Sequence, residues 1–140
     1  MSILYTAEAL SSGDGRNGTA RTSDGKLDVK LAFPKEMGGS GDGTNPEQLF
    51  AAGYAACFHS ALRLVGTKAG ANVADSAVGA QVSLEPTATG GFQLSAVLEI
   101  SLPHLSRDEA QALADQAHQV CPYSNATRGN IDVRITLAED

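Results

Sequence analysis

The stretch 45–65, NPEQLFAAGYAACFHSALRLV, constrains this chain more than any other. Asn45 suits a helix N-cap, Pro46 the first helical position, and Glu47 the positive end of the helix dipole. From there the residues run without a strong breaker to Gly66, with Gly53 the one weak point. Leu49, Phe50, Tyr54, Phe58, Leu62 and Val65, with interspersed alanines, put apolar surface on almost every face. A helix apolar all round is buried rather than laid on a surface. The pattern predicts a buried central helix with Cys57 at its middle.

A chain of 140 residues is the size of one domain, spanning 1–140, with enough length to bury a core. The net charge of −6 and the lack of any basic run argue against nucleic acid and anionic membrane as partners. The start, MSILYTAEAL, has neither a basic n-region nor a long apolar core, so no signal peptide is expected. No apolar run is expected to reach the roughly 18 residues of a membrane span. A soluble, cytoplasmic protein follows as the expectation. In a reducing compartment the two cysteines are not a stabilising staple. Two unrelated buried thiols, a metal site and a redox pair are the readings left open.

Residues 3–10 read as a strand, and 11–21, rich in glycine around Arg16, as a loop running into a second strand at 18–22. Ser23-Asp24-Gly25 is a hairpin turn. Leu27, Val29, Leu31 and Phe33 then alternate with polar residues, the period of a half-buried strand. After the central helix, 66–75 reads as a connection. Two alternating strands follow at 78–84 and 92–102, with a turn at 86–91 between them. Ser106 and Glu109 form a capping box for a second helix, ended at Cys121 by Pro122. Ile131, Val133, Ile135 and Leu137 make a last strand. The order β-β-β-α-β-β-α-β predicts an α+β fold with a largely antiparallel sheet.

A thiol reacts as thiolate, and an unperturbed cysteine is only about 3% ionised at pH 7. Cys57, mid-helix, gains little from the dipole, and apolar neighbours raise its pKa. Cys121 lies at the negative end of its helix, where a thiolate is disfavoured. Cys57 is therefore the better nucleophile and Cys121 the better resolving partner. Glu47 and Cys57 are ten residues apart, roughly 15 Å along one straight helix, so they cannot touch within it. The plain reading of Glu47 is a first-turn acid favoured by the dipole. Cys57 and His59 with His118 and Cys121 could supply two thiols and two imidazoles to zinc, but Cys57 and His59 point about 200° apart on a helix and no CxxC knuckle accompanies them. No metal is expected. A GxSxG elbow is missing, and the glycines at 38–43 do not continue into GK[ST].

NPEQLFAAGYAACF around Cys57 and AHQVCPYSNATRGNIDV around Cys121 closely resemble the organic hydroperoxide resistance proteins of the OsmC/Ohr superfamily. The likeness runs from Leu4-Tyr5-Thr6 through DGKLDVKL at 24–31 to the last strand, and it is weakest at 66–76. It implies an OsmC-like fold and a thiol-dependent peroxidase reducing organic hydroperoxides to alcohols. Cys57 matches the peroxidatic cysteine, Cys121 the resolving one, and Glu47 the acid paired with a catalytic arginine. That arginine falls on Arg16, in Gly-Asp-Gly-Arg-Asn-Gly rather than the family's Gly-Gly-Arg, with Arg21 as the alternative. The resemblance further implies an intertwined homodimer with sites at its interface. It also implies no bound cofactor and reduction by dihydrolipoyl groups of lipoylated proteins. Phe50, Tyr54 and Phe58 are candidates for binding a bulky organic peroxide or are plain core. Two other readings stand beside this one: a non-catalytic interaction or lipid-binding module on the same fold, and an OsmC-type peroxidase with another substrate preference.

Overall fold

The structure is a computed structural model that describes residues 2–139. The ends of the chain, Met1 and Asp140, lie outside the described residues. Two compact units divide the chain, one reaching to Leu49 and the other starting at Phe50.

In the first unit, β1 (Ala9–Ser12), β2 (Thr19–Thr22) and β3 (Asp28–Lys30) form an antiparallel sheet in sequence order. The hairpin at 22–27 is closed by Thr22 Oγ1, which donates to Asp24 Oδ1 at 2.7 Å, and by the Asp24 carboxylate accepting Lys26 N–H. The strand expected over 3–10 begins only at Ala9. Ile3, Leu4 and Tyr5 stand 81%, 100% and 80% exposed, with no strand beside them among the described residues. The strand expected through Phe33 is also shorter. Past Lys30 the chain keeps a single parallel bridge, Leu31 to Thr44, and Pro34 then opens a 3-10 turn. Leu31 and Ala32 are nevertheless buried, so the hydrophobic alternation tracks burial beyond the regular ladder.

The helix α1 (Pro46–Lys68) is set at its start by Asn45, whose side-chain oxygen accepts Gln48 N–H at 2.8 Å. It does not stop at Gly66. Gly66 is packed against Val73, and a Cβ there would run into Val73 Cγ1, so this glycine serves close approach. The stop comes at Gly70, with φ +73°, where Gly70 N–H reaches Thr67 O and Ala71 N–H reaches Gly66 O in a Schellman cap. Within one chain α1 is buried along a stripe of Tyr54, Phe58, Ala61, Leu62 and Gly66, while Leu64 is 53% exposed. By length and composition α1 could cross a membrane, a correction to the expectation that no segment qualifies. Its alanines lift the mean hydropathy, yet it carries Arg63, which donates to Val73 O.

In the second unit, β4 (Ala77–Pro86) pairs antiparallel with β5 (Phe92–Ser101) over their whole length. β6 (Val133–Leu137) pairs parallel with β5, in register Ala96 with Val133. The strands thus make two three-stranded sheets, with one parallel pairing. Such a pairing needs a crossover, supplied by α2 (Arg107–Val120) and α3 (Pro122–Thr127). Ser106 caps α2 by accepting Glu109 N–H, as its sequence predicts. The buried stripe Ala110, Leu113, Ala114 and Ala117 faces a core shared with Leu98, Ile100 and the α1 stripe. Pro122 ends α2 but does not begin a loop. It occupies the first turn of α3, so Cys121 caps both helices at once.

Candidate active site

In the first unit, Gly13 and Gly15 adopt φ of +81° and +62° and throw residues 15–17 into a 3-10 turn. The turn presents Arg16. Its Nη1 donates to Glu47 Oε1 at 2.6 Å and its Nη2 to Glu47 Oε2 at 3.0 Å. This fork-on-fork pairing fixes the plane of the guanidinium as well as its position. The Arg16 guanidinium carbon also lies 6.0 Å from the centre of the Phe33 ring. The side chains are 32% and 18% exposed, so the pair is sheltered without being dry. The Arg16 hydrogen bonds hold the Glu47 carboxyl below its usual range, and Glu47 raises Arg16 in turn. Arg21 points from β2 at a position opposite Leu10 and Asp28; Glu47 is paired with Arg16 instead.

In the second unit, Cys57 on α1 and Cys121 at the α2–α3 junction are free thiols with their sulfurs 3.5 Å apart. Cys121 is fully buried and its S–H is placed to donate to Cys57 Sγ. Burial pushes the Cys57 thiol up, and the adjacent Cys121 pushes it further. The Tyr123 backbone N–H, aimed at Cys57, works in the opposite sense. A sulfur–sulfur bond of about 2.05 Å needs only a short closing movement from here.

Around this pair Phe50, Tyr54 and Tyr123 form an aromatic cluster with centroids 5.7 to 6.0 Å apart. Phe50 and Tyr123, with Leu94, Pro122, Ala126 and Ile131, line an apolar cavity of about 570 Å³. Tyr54 and Phe58 are fully enclosed in the core and do not line that cavity. The Tyr54 hydroxyl lies 2.8 Å from Ser124 Oγ and 3.1 Å from Thr127 Oγ1, and Ser124 Oγ lies 2.8 Å from His118 Nδ1. His59 binds Ser76 instead, so the two imidazoles serve separate hydroxyls. Burial and Arg128 push the His118 imidazolium down, which favours its neutral form.

Residues 39–136 match the family described as OsmC-like protein. The chain belongs to the OsmC family. Within that family it groups with the organic hydroperoxide resistance (Ohr) proteins. That of Xanthomonas axonopodis pv. citri is 54% identical over 142 residues, covering 97% of this chain and 96% of its own. The crystal structure of an organic hydroperoxide resistance protein OsmC from Legionella pneumophila has a TM-score of 0.94 at 48% identity, covering 99% and 100%. That of OhrB from Bacillus subtilis has a TM-score of 0.88 at 44% identity, covering 97% and 100%. The mixed α+β fold of this chain is the OsmC/Ohr fold.

Of the residues an Ohr motif singles out, the fold joins Arg16 to Glu47 and Cys57 to Cys121. Sequence reasoning missed Tyr123 and Ser124, and it weighed His118 only as a metal ligand. Their signal lay in Cys-Pro-Tyr-Ser, where proline at the first position of a helix starts α3 and turns the next residues back toward α1.

Proposed function

We propose that this Ohr-family chain is a thiol-dependent peroxidase that reduces organic hydroperoxides to alcohols in defence against oxidative stress. The observation carrying this reading is the pair of free thiols 3.5 Å apart, with Pro122 and Tyr123, the two residues after Cys121, lining an apolar cavity. The Cys57 thiolate attacks the terminal peroxide oxygen, an S–O bond forms, and the O–O bond breaks. The alkoxide takes a proton and leaves as alcohol, with Cys57 oxidised by two electrons to a sulfenic acid. The Cys121 thiol then displaces that hydroxyl as water and forms the Cys57–Cys121 disulfide.

Burial disfavours the thiolate that this chemistry needs, so a cation is required. We assign that role to Arg16, held in one orientation by Glu47. It stabilises the thiolate and the charge developing on the peroxide oxygens. The apolar cavity favours bulky organic peroxides over hydrogen peroxide. A small external dithiol of the dihydrolipoyl type, carried on a lipoylated protein, reopens the disulfide, and the cytoplasm is the compartment that keeps such dithiols reduced. The working form is an intertwined homodimer. Stopped-flow oxidation of the reduced protein with cumene hydroperoxide and with hydrogen peroxide, side by side, tests the reading. The expected result is much faster loss of two thiols with the organic peroxide. Thiols untouched by either peroxide would overturn it in favour of a non-catalytic binding module. Equal rates would remove the substrate preference.

A further inference from the structure

Tyr54 is one helical turn before Cys57, and Ser124 lies three residues beyond Cys121. Their hydroxyls meet at 2.8 Å in the core, so the backbones carrying the two thiols are already tied together next to the sulfurs. The tie continues on both sides. Thr127 Oγ1 stands 3.1 Å from the Tyr54 hydroxyl, and His118 Nδ1 stands 2.8 Å from Ser124 Oγ. Tyr54, Ser124 and Thr127 are all buried, and no buried side-chain polar atom among the described residues lacks a partner. Either tautomer of a neutral imidazole completes the line: Nδ1 accepts from Ser124 O–H while Tyr54 O–H donates to Ser124 Oγ, or Nδ1–H donates to Ser124 Oγ and the hydroxyls donate onward through Tyr54 to Thr127 Oγ1. Arg128 Nη1 donates to His118 O at 2.8 Å and locks the α2 end of the same line.

We propose that Tyr54, Ser124 and His118 are positioning residues that hold the α2–α3 junction against α1 so that Cys121 stays within bonding reach of Cys57. This inference rests on the thiol–disulfide reading above. The tie acts on the second chemical step. It raises the effective concentration of Cys121 at the Cys57 sulfenic acid, and it favours the disulfide over the dithiol at equilibrium. It also keeps the Tyr123 backbone N–H, on the same short helix, aimed at Cys57.

The test uses the full-length protein carrying Ser124→Ala, which removes one hydroxyl from the middle of the line. Resolution is measured against sulfenic acid formation after one equivalent of cumene hydroperoxide, with dimedone trapping the intermediate. Loss of about one buried hydrogen bond predicts resolution slowed roughly tenfold relative to the first step. Equilibration in dithiothreitol redox buffers, which needs no peroxide, predicts a tenfold weaker disulfide, a potential about 30 mV less negative. His118→Asn keeps an acceptor where Nδ1 stands and restores most of both quantities, whereas His118→Leu does not. If Ser124→Ala fails to fold, Tyr54→Phe breaks the same line while keeping the ring. Wild-type values of both the step ratio and the redox equilibrium in Ser124→Ala, Tyr54→Phe and His118→Leu would overturn the inference. A wild-type protein that forms the disulfide in the redox buffer yet ignores peroxide would instead overturn the proposed function and leave this inference standing.

Discussion

Cys57 sits where burial favours the thiol, yet peroxide attack needs the thiolate. The proposed chemistry therefore makes its rate depend on Arg16. Arg16→Ala is expected to slow thiol oxidation by about a hundredfold, the usual loss on removing one charge-stabilising donor. Its effect on stability should stay below about 1 kcal/mol, because a partly exposed ion pair contributes little. Arg21→Ala, with Arg21 unpaired to Glu47, should leave the rate near wild type. The reverse pattern would move the role to Arg21. In Arg16→Ala, burial and the neighbouring Cys121 still raise the Cys57 thiol, so its alkylation by iodoacetamide should reach half-maximum above the usual thiol value of 9.0. Cys57→Ser should abolish peroxide reduction, whereas Cys121→Ser should still lose one thiol per equivalent of peroxide. A Cys57→Ser protein with full turnover would end the assignment. For Glu47 the sign follows from its lowered pKa. The stability it gives is present above the usual value of 4.5 and is lost as pH falls through the depressed one. Urea unfolding of wild type and Glu47→Gln should therefore differ at neutral pH and converge below pH 4.5.

At the scale of elements, the same residue type carries opposite messages, and this is where the sequence was hardest to read. Gly66 looks like a helix stop, but it lies inside α1 because Val73 packs against it; the true stop, Gly70, is told apart only by its positive φ. Gly66→Ala should accordingly destabilise the fold by about 1–3 kcal/mol, the usual cost of overpacking. Val73→Ala in the same chain should recover part of that loss, a coupling that thermal unfolding of the single and double variants measures. Independent, additive losses would refute the packing account. Pro122 misleads in a similar way, since a proline that ends one helix is equally suited to start the next. The capping box at Ser106, the hairpin at 22–27 and the alternating strands 78–84 and 92–102 were legible because their signals are local. The parallel pairing of β5 with β6 was not, because register between distant strands leaves no mark on either one. The thiols and the Arg16–Glu47 pair were legible as motif residues. The hydroxyl line behind them was not, because nothing in the pattern around Ser124 and Thr127 marks these usually exposed residues for burial.

For the whole molecule, the question is what covers the surfaces that a single chain leaves open. Ile3, Leu4 and Tyr5 stand almost fully exposed ahead of β1, and α1 keeps Leu64 and several alanines outside its buried stripe. A row of apolar side chains with no strand beside it among the described residues is a surface that an isologous partner buries, and so is a half-covered apolar helix. The helix adds a second reason for a shared assembly. Ten residues separate Glu47 from Cys57 along α1, about 15 Å at the helical rise, so Glu47 cannot reach the thiol from its own first turn. If each working site takes Arg16 and Glu47 from one subunit and both cysteines from the other, two dead variants should complement. Co-refolding Cys57→Ser chains with Arg16→Ala chains would then give a mixed dimer in which one site has every part and the other has neither Cys57 nor Arg16. The expected outcome is half of the wild-type thiol oxidation per mixed dimer, from two parents that are each nearly inactive. Sites built within single chains predict the opposite, because every chain in the mixture lacks one essential group and no combination can restore it. Size-exclusion chromatography with light scattering, run on the same mixture, establishes that a dimer is present before the activities are compared. A monomer at micromolar concentration would remove the shared-site account, whatever the activity.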